Sequence, residues 1–422
     1  MKTLLPALCA LVVGASLSPA AQAPAVLALV GATVVDGTGA APLANGVVVV
    51  RNGRIAEVGP ASRVAVPDGA ERVDLRGKTL LPGFVNAHGH ATDASGQPPP
   101  GMAARPNVER QLRQYAQYGV TSVFSLGDDT EAGVAVRDQA ARGRARLFIA
   151  GPVVGGTTAE AAAAAVDEVV AMNADWVKIR VDDNLGSTAR MPRVAWESAI
   201  DRAHAAGLPV AAHIFYLEDA KALLREGVDL IAHSVRDAPV DAEMIRLARE
   251  RDVCVVPTLT RELSTFVYAS TPDFFSDPFF LRHTDAAAIA EMRTPERQAQ
   301  FRSSPTAPRY KVALEQASRN VKQLRDAGVR IAMGTDTGPA GRFQGFFEHL
   351  EMELMVKAGL TPMQVIVAAT GDAASCMRQA GQIGTIQPGA WADLAVFGAS
   401  PAEDSRHTRT LERVFIAGVP LD

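Results

Sequence analysis

From Leu80 to about Arg378 the chain repeats one pattern, a short apolar run followed by an Ala-rich, helix-compatible stretch, and this repetition constrains the architecture most. Apolar runs starting near residues 80, 120, 145, 175, 209, 229, 253 and 330 read as eight strands with helices between them. Strands that alternate with helices pair in parallel, because the chain crosses back before each new strand begins. The pattern predicts an α/β fold, a (β/α)8 TIM-type barrel over residues 80–380. The connection from about 260 to 328 is longer than an ordinary crossover and predicts a lid or subdomain.

The two chain ends read differently. Between residues 24 and 79, short β-rich runs such as Val47–Val50 and Ile55–Val58 alternate with Gly and Asn turns, and residues 381–422 repeat that texture. Both ends are expected to form one small β-sandwich domain. Ahead of it, Lys2, the apolar stretch Leu4–Leu17 and the small residues up to Ala25 predict a secretory signal peptide over residues 1–23 and export to the periplasm or beyond. Cleavage after Ala20 and after Ala25 both fit the small-x-small rule. No later run approaches the roughly 20 apolar residues of a membrane span, so stable membrane insertion is not expected. Cys9 would leave with the signal, and Cys254 and Cys376, in apolar contexts, read as two buried thiols. A net charge of −4 with 48% apolar residues gives no sign of disorder or of nucleic-acid binding.

The chemistry-bearing residues fall at strand ends. His88-Gly-His90 follows the first run, and alternate residues of a strand face one way, so two imidazoles there suit one metal ion. His213, His233 and Asp336 each follow a later apolar run, where a barrel gathers its active residues. Lys178 sits in the apolar fourth run, Asp175-Trp-Val-Lys-Ile-Arg180-Val. It either snorkels to the surface or faces the interior, where burial favours a neutral amine that can take up carbon dioxide as a metal-bridging carbamate.

In this order the residues resemble the amidohydrolase superfamily: His-x-His after strand one, Lys after strand four, His after strands five and six, Asp after strand eight. Leu80-Leu-Pro-Gly-Phe-Val-Asn-Ala-His88, Leu360–Thr370 and Pro388-Gly-Ala-Trp-Ala-Asp393 add to the likeness, which is strongest to the imidazolonepropionase-like and Xaa-Pro dipeptidase-like group. The resemblance implies a Zn2+ centre, with two ions or another divalent metal. His88 and His90 would hold one ion, His213 and His233 the other, carbamylated Lys178 would bridge them, and Asp336 would be both ligand and proton carrier. It also implies hydrolysis of an amide or peptide bond, in a dipeptide or N-acyl amino acid, by metal-activated hydroxide. A cyclic amidase or lactonase on the same centre is the alternative, and a non-catalytic metal-binding protein a weaker one.

Tyr216 is a candidate oxyanion donor or a packed rim residue. Arg236 and Arg261 are candidates for binding a substrate carboxylate, with Arg180 within reach of the Lys178 face. Phe266, Tyr268, Phe274, Phe275, Phe279 and Phe280 concentrate the chain's few aromatics in the long connection, as a substrate wall or as that segment's own core. His204 reads as structural, and His283, His349 and His407 carry no expected role. The expected partner is a small-molecule or dipeptide substrate; a homo-oligomer is compatible with the class, and no interface is legible.

Overall fold

The computed structural model describes residues 26–92, 95–96, 98–186 and 188–421. The expected signal segment and Cys9 lie outside the described residues. The chain opens with β1 (Val26–Val34), β2 (Leu43–Arg51), β3 (Arg54–Pro60), β4 (Glu71–Asp74) and β5 (Thr79–Pro82). It continues with β6 (Phe84–Gly89), β7 (Val120–Ser125), β8 (Arg146–Ile149), β9 (Val153–Val154), β10 (Val177–Arg180), β11 (Val210–His213), β12 (Leu230–Ala232) and β13 (Cys254–Val256). It closes with β14 (Leu394–Phe397), β15 (Leu411–Ile416) and β16 (Val419–Pro420).

Both ends share one sheet, as expected, in the order β16-β15-β14-β5-β1-β2-β3 with β4 beside β1. It is a single eight-stranded sheet rather than the two packed sheets of a sandwich. Two register shifts in the pairing of β1 with β2 explain this, because irregular pairing bends a strand and lets one sheet wrap its own core. That core holds Leu27, Leu29, Val48, Val50, Leu80, Leu394, Val396 and Phe415. Gly83 divides the first expected strand in two: β5 joins the end sheet by pairing with β14, and β6 starts the parallel part.

The parallel part comprises β6-β7-β8 and β13-β12-β11-β10-β9, with helices between successive strands except β8 and β9. Hydrogen bonds join these sheets. Asp175 and Trp176 donate their N–H groups to Ile149 O, at 2.9 and 3.2 Å. The eighth expected strand survives as a short stretch around Ile331–Met333, bridged to Val255 on one side, while Ala87 N–H donates to Met333 O on the other. Side chains alternate as two-fold strand geometry requires: Trp176, Ala211, Leu230, Ala232, Cys254, Val256 and Ala332 join one inner cluster, and Val177, Ile179, Val210, Ala212, Ile231 and Val255 pack outward under the helices. The helix Gly371–Cys376 adds Ala373, Ala374 and Cys376 to the inner cluster.

Cys254 and Cys376 form a disulfide, with Cα atoms 5.7 Å apart, and are not the two free thiols expected. Each sits in an apolar setting, but 122 residues separate them, and only the folded chain brings the end of β13's inner face to that helix. The long connection contains several short helices and the 20-residue helix Ala307–Asp326. Its aromatics join the main core rather than a separate one: Tyr268, Phe274, Phe275 and Phe280 contact one another and Phe343, Phe346 and Phe347. Phe266 and Tyr310 leave that group and pack with Leu185 and Phe215. No described helix is long and apolar enough to cross a membrane.

Candidate metal centre and active site

His88 and Asn86 should share a face by strand alternation, and they do not. Asn86 reaches toward the helix Phe346–Lys357 by donating to Glu348, whereas His88 faces Lys178. The register of β6 against β7 shifts between Asn86 and Gly89, which is how an irregularity re-aims a side chain beside a site. Gly334 lies against this strand so closely that a Cβ there would sit 2.9 Å from His88 N and 2.4 Å from a Val256 methyl. Three non-glycine residues around the centre hold left-handed backbone, His233 (φ 71°), Thr258 (φ 51°) and Asp336 (φ 57°), a conformation retained where surrounding structure enforces it.

His88, His90 and Asp336 bring three donor atoms within 4.8 Å of one another. Asp336 Oδ1 lies 2.9 Å from His90 Nε2 and 3.6 Å from His88 Nε2. His90 Nδ1 is 3.1 Å from Gly127 O, so a proton on Nδ1 leaves Nε2 free for a ligand role. Lys178 Nζ is 3.4 Å from His88 Nε2. The His88 ring lies 4.7 Å from that of His233, tilted by 43°, and His233 Nε2 faces His213 Nδ1 at 2.8 Å. The structure thus brings together all six residues the sequence marked as metal ligands.

Burial sets the protonation states. It pushes His88 and His233 well below the usual imidazole range and His213 down to about 4. It also lowers Lys178 to about 7, so a neutral amine is accessible at physiological pH. Burial opposes charge on Asp336 too, but Arg342, donating to Oδ2 at 2.6 Å, and His90 hold the carboxyl well below its ordinary value. These groups fit a divalent cation. Neutral imidazole nitrogens that face one another across 2.8 Å repel unless a proton or a cation lies between them, and the His, Asp and Lys donor set suits zinc-like ions.

Several contributors were not anticipated. Asp182, four residues after Lys178 and nearly inaccessible, places Oδ1 3.1 Å from His213 Nε2, on the side of that ring away from His233. Thr258 Oγ1 is 2.7 Å from His233 Nδ1 and orients that ring, leaving its Nε2 toward His213. Arg342, in the loop after Asp336, donates to the Oδ2 of that carboxylate. Asp182 follows a strand end, which is a legible signal; Thr258 and Arg342 are recognisable only from the fold.

The expected substrate residues separate. Arg236 is buried, donates from Nη1 to the carbonyls of Ile214 and Ser234 and lies 3.2 Å from Glu262, while its Nε and Nη2 have no hydrogen-bond acceptor. Arg261 also pairs with Glu262, and its buried Nε, likewise without an acceptor, lies on the Asp336 side, 4.0 Å from Oδ2. Tyr216 donates its hydroxyl to Asp183 at 2.9 Å under the Arg190 guanidinium. Arg180 lies 3.6 Å from Asp182. His204 pairs with Asp229 on the surface, and His349 is buried against Tyr118 O.

A donor cluster at the C-terminal ends of parallel strands defines a metal-binding enzyme. The sequence matches the amidohydrolase family over residues 79–421, and the chain belongs to that family of hydrolases. A dihydroorotase of Mycobacterium tuberculosis is 29% identical over 169 residues; the match spans 39% of this chain and only 37% of that protein. The imidazolonepropionase of Streptomyces avermitilis is 24% identical over 377 residues, 86% of this chain and 83% of that protein. Among solved structures, a prolidase candidate from Bifidobacterium longum superposes with a TM-score of 0.76 at 25% identity, covering 94% of this chain and 95% of that one.

Proposed function

We propose that this chain is an exported, zinc-dependent amidohydrolase that cleaves a peptide or N-acyl amino-acid bond. The observation that carries the reading is the convergence of His88, His90 and Asp336 within 4.8 Å, continued through Lys178 to His213 and His233. We read the parallel strands as one closed (β/α)8 barrel over residues 80–380, set between the halves of the end sheet; the bonds of Ile149 to Asp175 and Trp176 and of Met333 to Ala87 support closure. The prolidase likeness supports a peptide-type substrate. The disulfide supports export, since such bonds persist in oxidising compartments.

In this reading His88, His90 and Asp336 would hold one ion and His213 and His233 a second, with Lys178, as its carbamate, a further ligand of the pair. Bound zinc lowers the pKa of water to near neutrality and polarises a carbonyl. Asp336 accepts the proton of the attacking water at a carboxylate oxygen and returns it to the leaving nitrogen. Asp182 and Thr258 orient the rings of His213 and His233. Arg261 offers its unpartnered Nε to a substrate carboxylate beside the reacting bond.

The test is hydrolysis of a panel of dipeptides, N-acyl amino acids, their amides and lactones. Release of free amino acid is expected, and Arg261→Met should raise KM about tenfold or more for carboxylated substrates while sparing their amides. An unchanged preference removes Arg261 from this role. Turnover of lactones or cyclic amides alone replaces the peptide reading with ring opening on the same centre.

A further inference from the structure

One buried acid takes no part in the chemistry above. Glu348, in the first turn of the helix Phe346–Lys357, is fully buried, and its Oε1 accepts three hydrogen bonds. The donors are Asn86 Nδ2 at 2.6 Å, Thr335 Oγ1 at 2.8 Å and Thr337 Oγ1 at 2.9 Å. All three belong to ligand-bearing segments. Asn86 accepts the His88 backbone N–H at 3.0 Å, and Thr335 and Thr337 flank Asp336 on either side. Tyr115 extends the network, its hydroxyl 2.7 Å from Thr337 Oγ1 and donating to His90 O at 3.3 Å.

The network therefore reaches the backbone of His88 and His90 through hydrogen bonds and that of Asp336 through its two chain neighbours. Asp336 needs such support, because it sits in left-handed backbone that residues other than glycine rarely adopt. His88 needs it as well, since an irregular stretch of strand sets its direction. A carboxyl group is costly to bury and is retained where its bonds fix an arrangement that an apolar side chain would leave loose.

We infer that Glu348 is a positioning residue that ties the two segments carrying His88, His90 and Asp336 and so sets the affinity of that half of the centre for a divalent ion. The inference rests on the metal reading above, and zinc affinity separates the two. Zinc dissociation constants are measured by competition with a chromophoric chelator for the wild type, Glu348→Gln and Glu348→Met, with folding checked by circular dichroism. Gln keeps an acceptor oxygen for the three donors, so E348Q should bind zinc within about threefold of the wild type. E348M should weaken one ion by about 10- to 100-fold and leave the other unchanged, as loss of a ligand's hydrogen-bond support does. If E348M does not fold, Thr337→Val, which deletes one donor and the Tyr115 link, should shift the same ion by a smaller factor in the same direction. Unchanged zinc affinity in a folded E348M, or in T337V where E348M does not fold, overturns the inference and leaves the metal reading standing. A wild type that binds no zinc overturns both.

Discussion

At the scale of single residues, burial decides which groups carry charge. Asp129, in the loop after β7, is 2% exposed, accepts Ala150 N–H at 3.0 Å and leaves its other oxygen without a donor. Burial outweighs its hydrogen bonds and raises its pKa to about 7. An unfolded Asp titrates near 3.9 (~4), so between about pH 4 and 7 the folded chain holds a proton that the unfolded chain has released. Stability contributed by this group is full below about pH 4 and declines as pH rises to about 7, by at most roughly 4 kcal/mol. Asp129→Asn lacks that titration, so its urea midpoint should gain on the wild type's between pH 5 and pH 8; parallel midpoints across that range would refute the assignment. Asp129 shows what one sequence conceals. The six ligand candidates were legible because each lies in or ends an apolar run, whereas Asp129, Thr258 and Glu348 matter through neighbours distant in sequence.

At the scale of elements, the same limit appears in the disulfide. β13 and the helix Gly371–Cys376 each announce themselves by apolar pattern, but their contact depends on the whole parallel layer. A crosslink closing 122 residues restricts the unfolded chain strongly, and such bonds contribute about 2–4 kcal/mol. Replacing both Cys254 and Cys376 with Ser should lower the unfolding free energy by about that amount while leaving bound metal per chain unchanged, because the bond lies among the inner residues Trp176, Leu230 and Ala332 and not among the ligands. Equal urea stability of the two proteins would contradict the stapling role. Element type was readable from periodicity in most of the parallel part. The exceptions have local causes: Gly83 splits the first strand between two sheets, and the eighth strand forms only isolated bridges. Nor did the cluster of aromatics in the long connection disclose its partners, Phe343, Phe346 and Phe347, which come from beyond it.

For the whole molecule, one end sheet built from both termini and a parallel layer between them bring six residues spread from 88 to 336 into one centre. That layout was legible as an order of motifs; its distances and tautomers were not, since they depend on left-handed turns at His233, Thr258 and Asp336. The most direct test measures zinc per chain on protein purified without chelators, for the wild type and Lys178→Ala, together with amino-acid release from a dipeptide panel. The account predicts about two zinc ions per wild-type chain, with lower occupancy and loss of most turnover in the Lys178→Ala protein. A Lys178→Ala protein with full occupancy and wild-type turnover would contradict the bridge, and a wild type that hydrolyses its substrate with no bound metal would contradict the account as a whole.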